Sequence, residues 1–187
     1  MIMKKLACLM VVALIGTVAS AASVALVVDP ADASSGGYMR GSTITINLVG
    51  EGFVAPFEGF GQFMIESING AGVASNPVLN PVLRYNFPNA GTLVNDGTTL
   101  ISSINGAVNL GDMVGVPNGE PICSFELTLP DYSGLYEYSV TDMQVWNSFA
   151  MSLDISEVTA LRLLVPVPEP MTVALLGFGG LFIRRRK

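Results

Sequence analysis

Apolar and polar side chains alternate with period two through the middle of the chain. Ser23 to Asp29, Thr43 to Val49, Gln62 to Ile68 and Cys123 to Leu129 each gather their apolar residues on one face, as with Ile44, Ile46 and Leu48, or with Cys123, Phe125, Leu127 and Leu129. Successive side chains of an extended backbone point to opposite sides, so this pattern predicts half-buried strands. Thr92 to Val94, Thr98 to Ile104, Leu135 to Trp146 and Val158 to Val165 add further candidates. Between these runs lie Asn69-Gly70, Asn95-Asp96-Gly97, Asn105-Gly106 and Asn118-Gly119, residue pairs that tolerate positive φ and reverse the chain tightly. No apolar stripe of helical period extends over ten residues outside the termini. Short helical turns are candidates only at Asn76 to Leu83, where Pro77 and Pro81 interrupt, and at Asn147 to Leu153. About eight or nine strands with such turns make an all-β fold, an antiparallel two-sheet sandwich.

Both ends break the pattern. Lys4 and Lys5 precede an uncharged run from Leu6 to Val18, and Ala19-Ser20-Ala21 supplies small residues, with Ala19 and Ala21 as the signal peptidase site. A helix of this run spans roughly 20 Å, short of a hydrocarbon core of about 30 Å, so residues 1–21 read as a cleaved signal peptide. Cys8 leaves with it. At the other end Pro166, Pro168 and Pro170 keep the backbone extended and accessible. Met171 to Ile183 then carries no charge, and Arg184, Arg185, Arg186 and Lys187 close the chain. An apolar stretch ending in four cations enters a bilayer and holds its tip on the cytoplasmic side. The expected organisation is therefore a signal peptide over 1–21, a β-sandwich domain over 22–165 and a tail over 166–187.

Half of the 187 residues are apolar and 13% are charged, a balance explained by these two terminal segments. Between them stand three arginines, no lysine and fourteen carboxylates, a net charge of −11. Such a surface repels phosphate backbones, which argues against nucleic acid as a partner. The chain has no histidine and two cysteines. That composition excludes Ser-His-Asp and Cys-His catalysis, imidazole-ligated metals and thiolate zinc sites. With Cys8 removed, Cys123 is the single thiol of the domain and has no internal disulfide partner; its parity with Phe125 and Leu127 places it in the core.

Paired carboxylates remain the one catalytic arrangement the composition allows. Glu126 lies opposite its strand's apolar face, and Glu137 and Asp142 alternate with apolar neighbours, so all three read as solvated positions and no enzyme is expected. The pairs Gly50/Gly52 and Gly59/Gly61 lack the third glycine of a dinucleotide loop and read as bends or bulges. No cofactor is expected. Calcium needs only oxygen ligands, and Asp29 with Asp32, and Asn109 with Asp112, are the local clusters that offer them, though neither fits an Asp-x-Asp-x-Asp-Gly loop and turn capping is the alternative. Tyr136, Tyr138 and Trp146 share one parity and are the candidate sugar-stacking strip.

Pro168-Glu169-Pro170, the short apolar stretch and the terminal Arg cluster together resemble the PEP-CTERM sorting domain of Gram-negative bacteria, over about the last 22 residues. The resemblance implies recognition by exosortase, a membrane-embedded cysteine enzyme of transpeptidase type, removal of the tail, and delivery to the cell surface or the exopolysaccharide matrix. Pro168, Glu169 and Pro170 are then substrate residues. The alternative is a plain membrane tether. Within the middle, Arg40 to Ile46, Gly59 to Ile65 and Ile122 to Leu127, followed by a final pair of strands, resemble the jelly-roll sandwiches of cohesin-like and carbohydrate-binding-like modules. Dockerin binding does not follow from that resemblance. The expected function is that of an exported structural or adhesive surface protein, with a carbohydrate-binding module as the rival.

Overall fold

The computed structural model describes residues 22–53, 59–108, 115–146, 152–153, 155 and 157–167. Thirteen strands and no helix lie among them: β1 (Ser23–Val28), β2 (Thr43–Glu51), β3 (Gly59–Ser67), β4 (Val73–Leu79), β5 (Tyr85–Asn89), β6 (Thr92–Leu93), β7 (Thr99–Ala107), β8 (Pro121–Thr128), β9 (Gly134–Thr141), β10 (Val145–Trp146), β11 (Ser152–Leu153), β12 (Glu157–Thr159) and β13 (Leu161–Val165). The signal and tail helices expected from the sequence fall at residues 1–21 and 168–187, outside the described residues.

Two sheets face each other. The first runs β12-β1-β2-β8-β4, with β1 and β12 parallel and the other neighbours antiparallel. The second is built around β3 and β7. β7 carries β5 and β6 on its outer edge, while β3 pairs first with β10 and then with β9, which are bordered by β11 and β13. Alternation decides which faces meet: Ile44, Ile46 and Leu48 of β2 and Cys123, Phe125 and Leu127 of β8 turn inward against Phe63 and Ile65 of β3, Ile104 of β7 and Tyr138 of β9. Each such side chain, fully buried, contributes about 1.5–3 kcal/mol. Cys123 is free and buried, and burial pushes its thiol up to about 12.

Three local expectations are corrected. Asn76 to Leu83 forms no helical turn: β4 occupies Val73–Leu79 and a hydrogen-bonded turn closes from Leu83 N–H to the Asn80 carbonyl at 2.9 Å. Pro77 is tolerated in β4 because the strand lies at a sheet edge and bulges between Ser75 and Val78, with Asn76 at φ 49°. Asn105-Gly106 is no reversal either, since both residues lie inside β7. Gly106 is needed there for proximity: a Cβ would stand 2.8 Å from the Leu83 carbonyl oxygen. Leu135 to Trp146 is split into β9 and β10. At Asp142 the backbone turns left-handed, φ 59°, which moves the buried parity from Tyr136, Tyr138 and Val140 to Val145. Of the other helical candidate, Asn147 to Leu153, only Ser152–Leu153 is described, and it is strand.

Candidate functional site

The outer face of the second sheet is interrupted where β3 changes partner. Gly59 and Phe60 pair with β10, Met64 to Ser67 pair with β9, and between them the Gly61 N–H donates to the Gln144 carbonyl at 2.7 Å. Asp142 stands left-handed on one flank of β3; on the other, Ser103 of β7 does the same at φ 58°. An L-residue in this region costs about 1–2 kcal/mol, and such outliers gather at functional places. Gln62 bridges across to the second irregularity, its Nε2 donating to Ser103 Oγ at 2.8 Å.

These irregularities open a surface groove of about 650 Å³ lined by Gly61, Gln62, Phe63, Met64, Asp142, Met143 and Gln144. Gln62, Asp142 and Gln144 are exposed at its rim, while Met64 and Met143 are half-buried. The Thr141 hydroxyl, whose residue lies opposite Met64 in the register, is buried and finds no partner among the described residues. Amides, one carboxylate and two thioethers make a surface for hydrogen bonding and apolar contact rather than for proton transfer or nucleophilic attack. A period-two reading carried from Leu135 through to Trp146 passes over the parity change that the left-handed Asp142 introduces between Val140 and Val145.

The sequence-derived candidates are placed as follows. Tyr136 and Tyr138 belong to the core, at 4% and 0% exposure, so the sugar-stacking strip is corrected: neither ring offers a face to solvent. Their parity is the inward one because Leu163 of β13 packs opposite Tyr136 and Val165 ends the strand buried. The Tyr136 hydroxyl donates to the Tyr132 carbonyl at 2.8 Å, whereas the Tyr138 hydroxyl is buried without a partner among the described residues. The side chain of Trp146 is outside what is described. Asp29 and Asp32 are capping groups. Asp29 accepts from the Ala31 N–H at 2.9 Å and from Asn47 Nδ2 at 3.0 Å. Asp32 accepts from the Thr45 N–H at 2.7 Å, carrying the ladder of β2 past the end of β1. Among the described residues no three His, Cys, Asp or Glu side chains converge on a metal position. Asn109 and Asp112 lie outside them, as do Ala19, Ala21, Pro168, Glu169, Pro170, Arg184, Arg185, Arg186 and Lys187.

Two further carboxylates on the sheets, Glu126 and Glu137, are already engaged. Glu126 accepts from Ser75 Oγ at 3.2 Å and from Asn76 Nδ2 at 2.7 Å, on the outer face of the first sheet. Glu137 faces the exposed Arg162 at 3.2 Å. Surface pairs of this kind contribute about 0–1 kcal/mol, so they finish a solvated face without building a site.

Comparison with solved structures finds the same architecture in cohesin modules. The sixth cohesin of scaffoldin B from Acetivibrio cellulolyticus, solved with a Cel5 dockerin, superposes with a TM-score of 0.54 at 9% identity, over 75% of this chain and 96% of that one. A cohesin module from a family 33 glycoside hydrolase of Clostridium perfringens gives 0.56 at 15% identity, over 78% and 97%. A non-cellulosomal cohesin from the archaeon Archaeoglobus fulgidus gives 0.51 at 8% identity, over 83% and 97%. The fold is thus a cohesin-like jelly-roll sandwich, shared at identities that carry the fold alone. No protein-family model and no curated protein matches the chain.

Proposed function

We propose that this protein is an exported, non-catalytic binding module that engages a protein partner at the cell surface or in its matrix, after exosortase has processed the tail. The observation that carries the binding half is the cohesin-like sandwich, since cohesins solved by others were captured in complexes with dockerins. The groove flanked by Ser103 and Asp142 is the face assigned to the partner, on account of its two left-handed residues and exposed amides. The partner is a protein of unspecified family, not a dockerin by inheritance. A polysaccharide ligand loses its main support with the burial of Tyr136 and Tyr138.

The sorting half rests on Pro168-Glu169-Pro170 followed by an apolar stretch and a cationic end. Glu169→Ala or Pro170→Ala leaves the membrane-entering stretch intact, so the protein is expected to reach the membrane and accumulate uncleaved. Replacing Arg184, Arg185 and Arg186 by Ser removes three charges that each cost about 2.5–3.5 kcal/mol at a bilayer centre, and unprocessed protein is expected to slip to the periplasm. Immunoblots of membrane, periplasm and medium, with exosortase present and deleted, distinguish the two. Processing of Glu169→Ala and Pro170→Ala at the rate of the unaltered chain overturns the assignment of Pro168-Glu169-Pro170 as a sorting signal. A photo-crosslinker at Gln62 on living cells tests the binding half: protein adducts are expected, and adducts to polysaccharide alone overturn it.

A further inference from the structure

The strands order the two ends of the sandwich. β1 begins at Ser23 opposite Glu51, whereas β13 finishes at Val165 opposite Gly134, the first residue of β9. The loop over 36–42 and the loop over 129–133 meet at this second end: the Gly41 N–H donates to the Pro130 carbonyl at 3.2 Å and the Leu129 N–H to the Ser42 carbonyl at 2.9 Å. The Tyr38 N–H, in turn, donates to the Leu164 carbonyl at 2.9 Å. The chain therefore leaves the domain through a ring formed by these loops and the end of β13.

Five of the large apolar side chains exposed among the described residues lie at that exit. Met39, Tyr132, Leu135, Leu164 and Val167 are 79%, 59%, 57%, 52% and 69% exposed. Leu135 and Leu164 are direct cross-strand partners, and Tyr132 is held edge-on against Tyr136 with ring centroids 5.8 Å apart. Asp131, exposed in the loop over 129–133, leaves that end a polar group at headgroup level. Exposed Leu and Met at one end of an acidic domain call for an occupant. The chain itself supplies the argument for one. Val167 is followed by Pro168-Glu169-Pro170 and then by the uncharged stretch from Met171 to Ile183 with its cationic end. Four residues, fully extended, reach about 14 Å, so the exit cannot stand far from any bilayer that the stretch enters.

We propose that this apolar end is a membrane-contact surface, which seats the domain end-on in the lipid interface while the tail is still attached. The proposal rests on the membrane-entering tail of the functional reading above. Met39, Leu135, Leu164 and Val167 enter the boundary between headgroups and acyl chains, and Tyr132 sits at headgroup level, as interfacial tyrosines do. Arg40, exposed beside Met39, meets lipid phosphate. The net charge of −11 between the two termini directs the contact toward zwitterionic rather than anionic lipid.

The test uses the chain over residues 22–187, as it stands once the signal has been removed, so that an introduced thiol is the only one beside the buried Cys123. Met39→Cys at the exit and Glu120→Cys at the far end each receive an environment-sensitive fluorophore, in phosphatidylcholine vesicles containing a shallow spin-labelled lipid. Met39→Cys is expected to shift to the blue and be quenched about twofold, Glu120→Cys to remain in water, and replacing Leu135 and Leu164 by Ser to abolish the quenching. Equal, unquenched emission from both positions on protein that floats with the vesicles overturns the contact while leaving tail insertion intact. Failure to float overturns tail insertion and the contact together. A blue shift that fades on diluting protein in lipid, without quenching, assigns the patch to a second copy of the chain and overturns the proposal.

Discussion

Three carboxylates in the described loops, Asp29, Asp32 and Asp96, accept from backbone N–H groups, and two of them, Asp29 and Asp96, are held below the ordinary carboxylate value of 3.8. Asp29 is lowered chiefly by the Ala31 N–H and then by Asn47; Asp96 is lowered by the N–H groups of Thr98 and Thr99. A group depressed in the folded state adds stability above its unfolded pKa and loses it as pH falls through the folded value. The urea midpoint is therefore expected to be flat from neutral pH to about pH 5 and to fall below about pH 4. In the double variant Asp29→Asn, Asp96→Asn that acid fall is expected to be shallower. Equal acid slopes in both proteins would show that these hydrogen bonds do not carry the pH dependence. Tyr138 differs: burial raises its hydroxyl, which stays neutral over the whole working range and contributes packing alone.

At the scale of elements, Asn69-Gly70, Asn95-Asp96-Gly97 and Asn118-Gly119 turn the chain between strands as their composition points to, whereas Asn105-Gly106 stays within β7. Gly106 sits in extended backbone where Leu83 and Leu79 leave no room for a methyl group. Gly106→Ala is expected to cost about 1–3 kcal/mol through overpacking. Gly36, with nothing within 4 Å of its would-be Cβ, is the control. Gly36→Ala is expected to change stability by no more than about 0.5 kcal/mol. Urea denaturation of the two variants checks both values, and equal costs would place the Leu83 carbonyl away from β7. A second device joins the sheets at an edge: Asn95, at φ 49°, accepts from the Ala74 N–H at 2.8 Å and donates to the Ala74 carbonyl at 3.0 Å. A side-chain amide here imitates a neighbouring strand and closes part of the exposed edge of β4.

On the scale of the whole molecule, the chain enters at one end of the sandwich and leaves at the other. A nine-residue strand such as β2 is about 30 Å long, so the exits stand roughly that far apart. Val24 is fully buried only three residues after Ala21, which leaves no slack. If the signal stayed attached while the tail held the far end at the membrane, β1 would be drawn out from between β2 and β12. Replacing Ala19 and Ala21 by Gln, which removes the small residues the peptidase reads without adding a trypsin site, is expected to leave an uncleaved chain that trypsin degrades. The processed chain is expected to resist under the same conditions in spheroplasts, and equal resistance of the two forms would refute the geometric argument.

Period-two alternation in Thr43 to Val49 and Cys123 to Leu129 was enough to read the class of fold, the inward face of each main strand and the burial of Cys123, because a pleated chain sends neighbours to opposite sides whatever its partners are. The expectations for the two terminal segments rest on charge and apolar length, which act through a bilayer without any tertiary contact, and those segments lie outside the described residues. Where a second segment sets the outcome, the sequence was silent. β4 and β5 exist because edges of β8 and β7 receive them, although Pro77 and Pro88 weaken their local preference. Gly106 reads as a turn until Leu83 is brought against it. The tyrosines of β9 read as a core face more readily than as a sugar platform, and the first sheet, packed against them, makes them core; one left-handed residue, Asp142, sets where Val145 and not Gln144 turns inward. Local pattern determined which residues alternate; only the packing of the two sheets decided which side was the inside at each irregularity, because burial is a property of the partner surface and not of the strand alone.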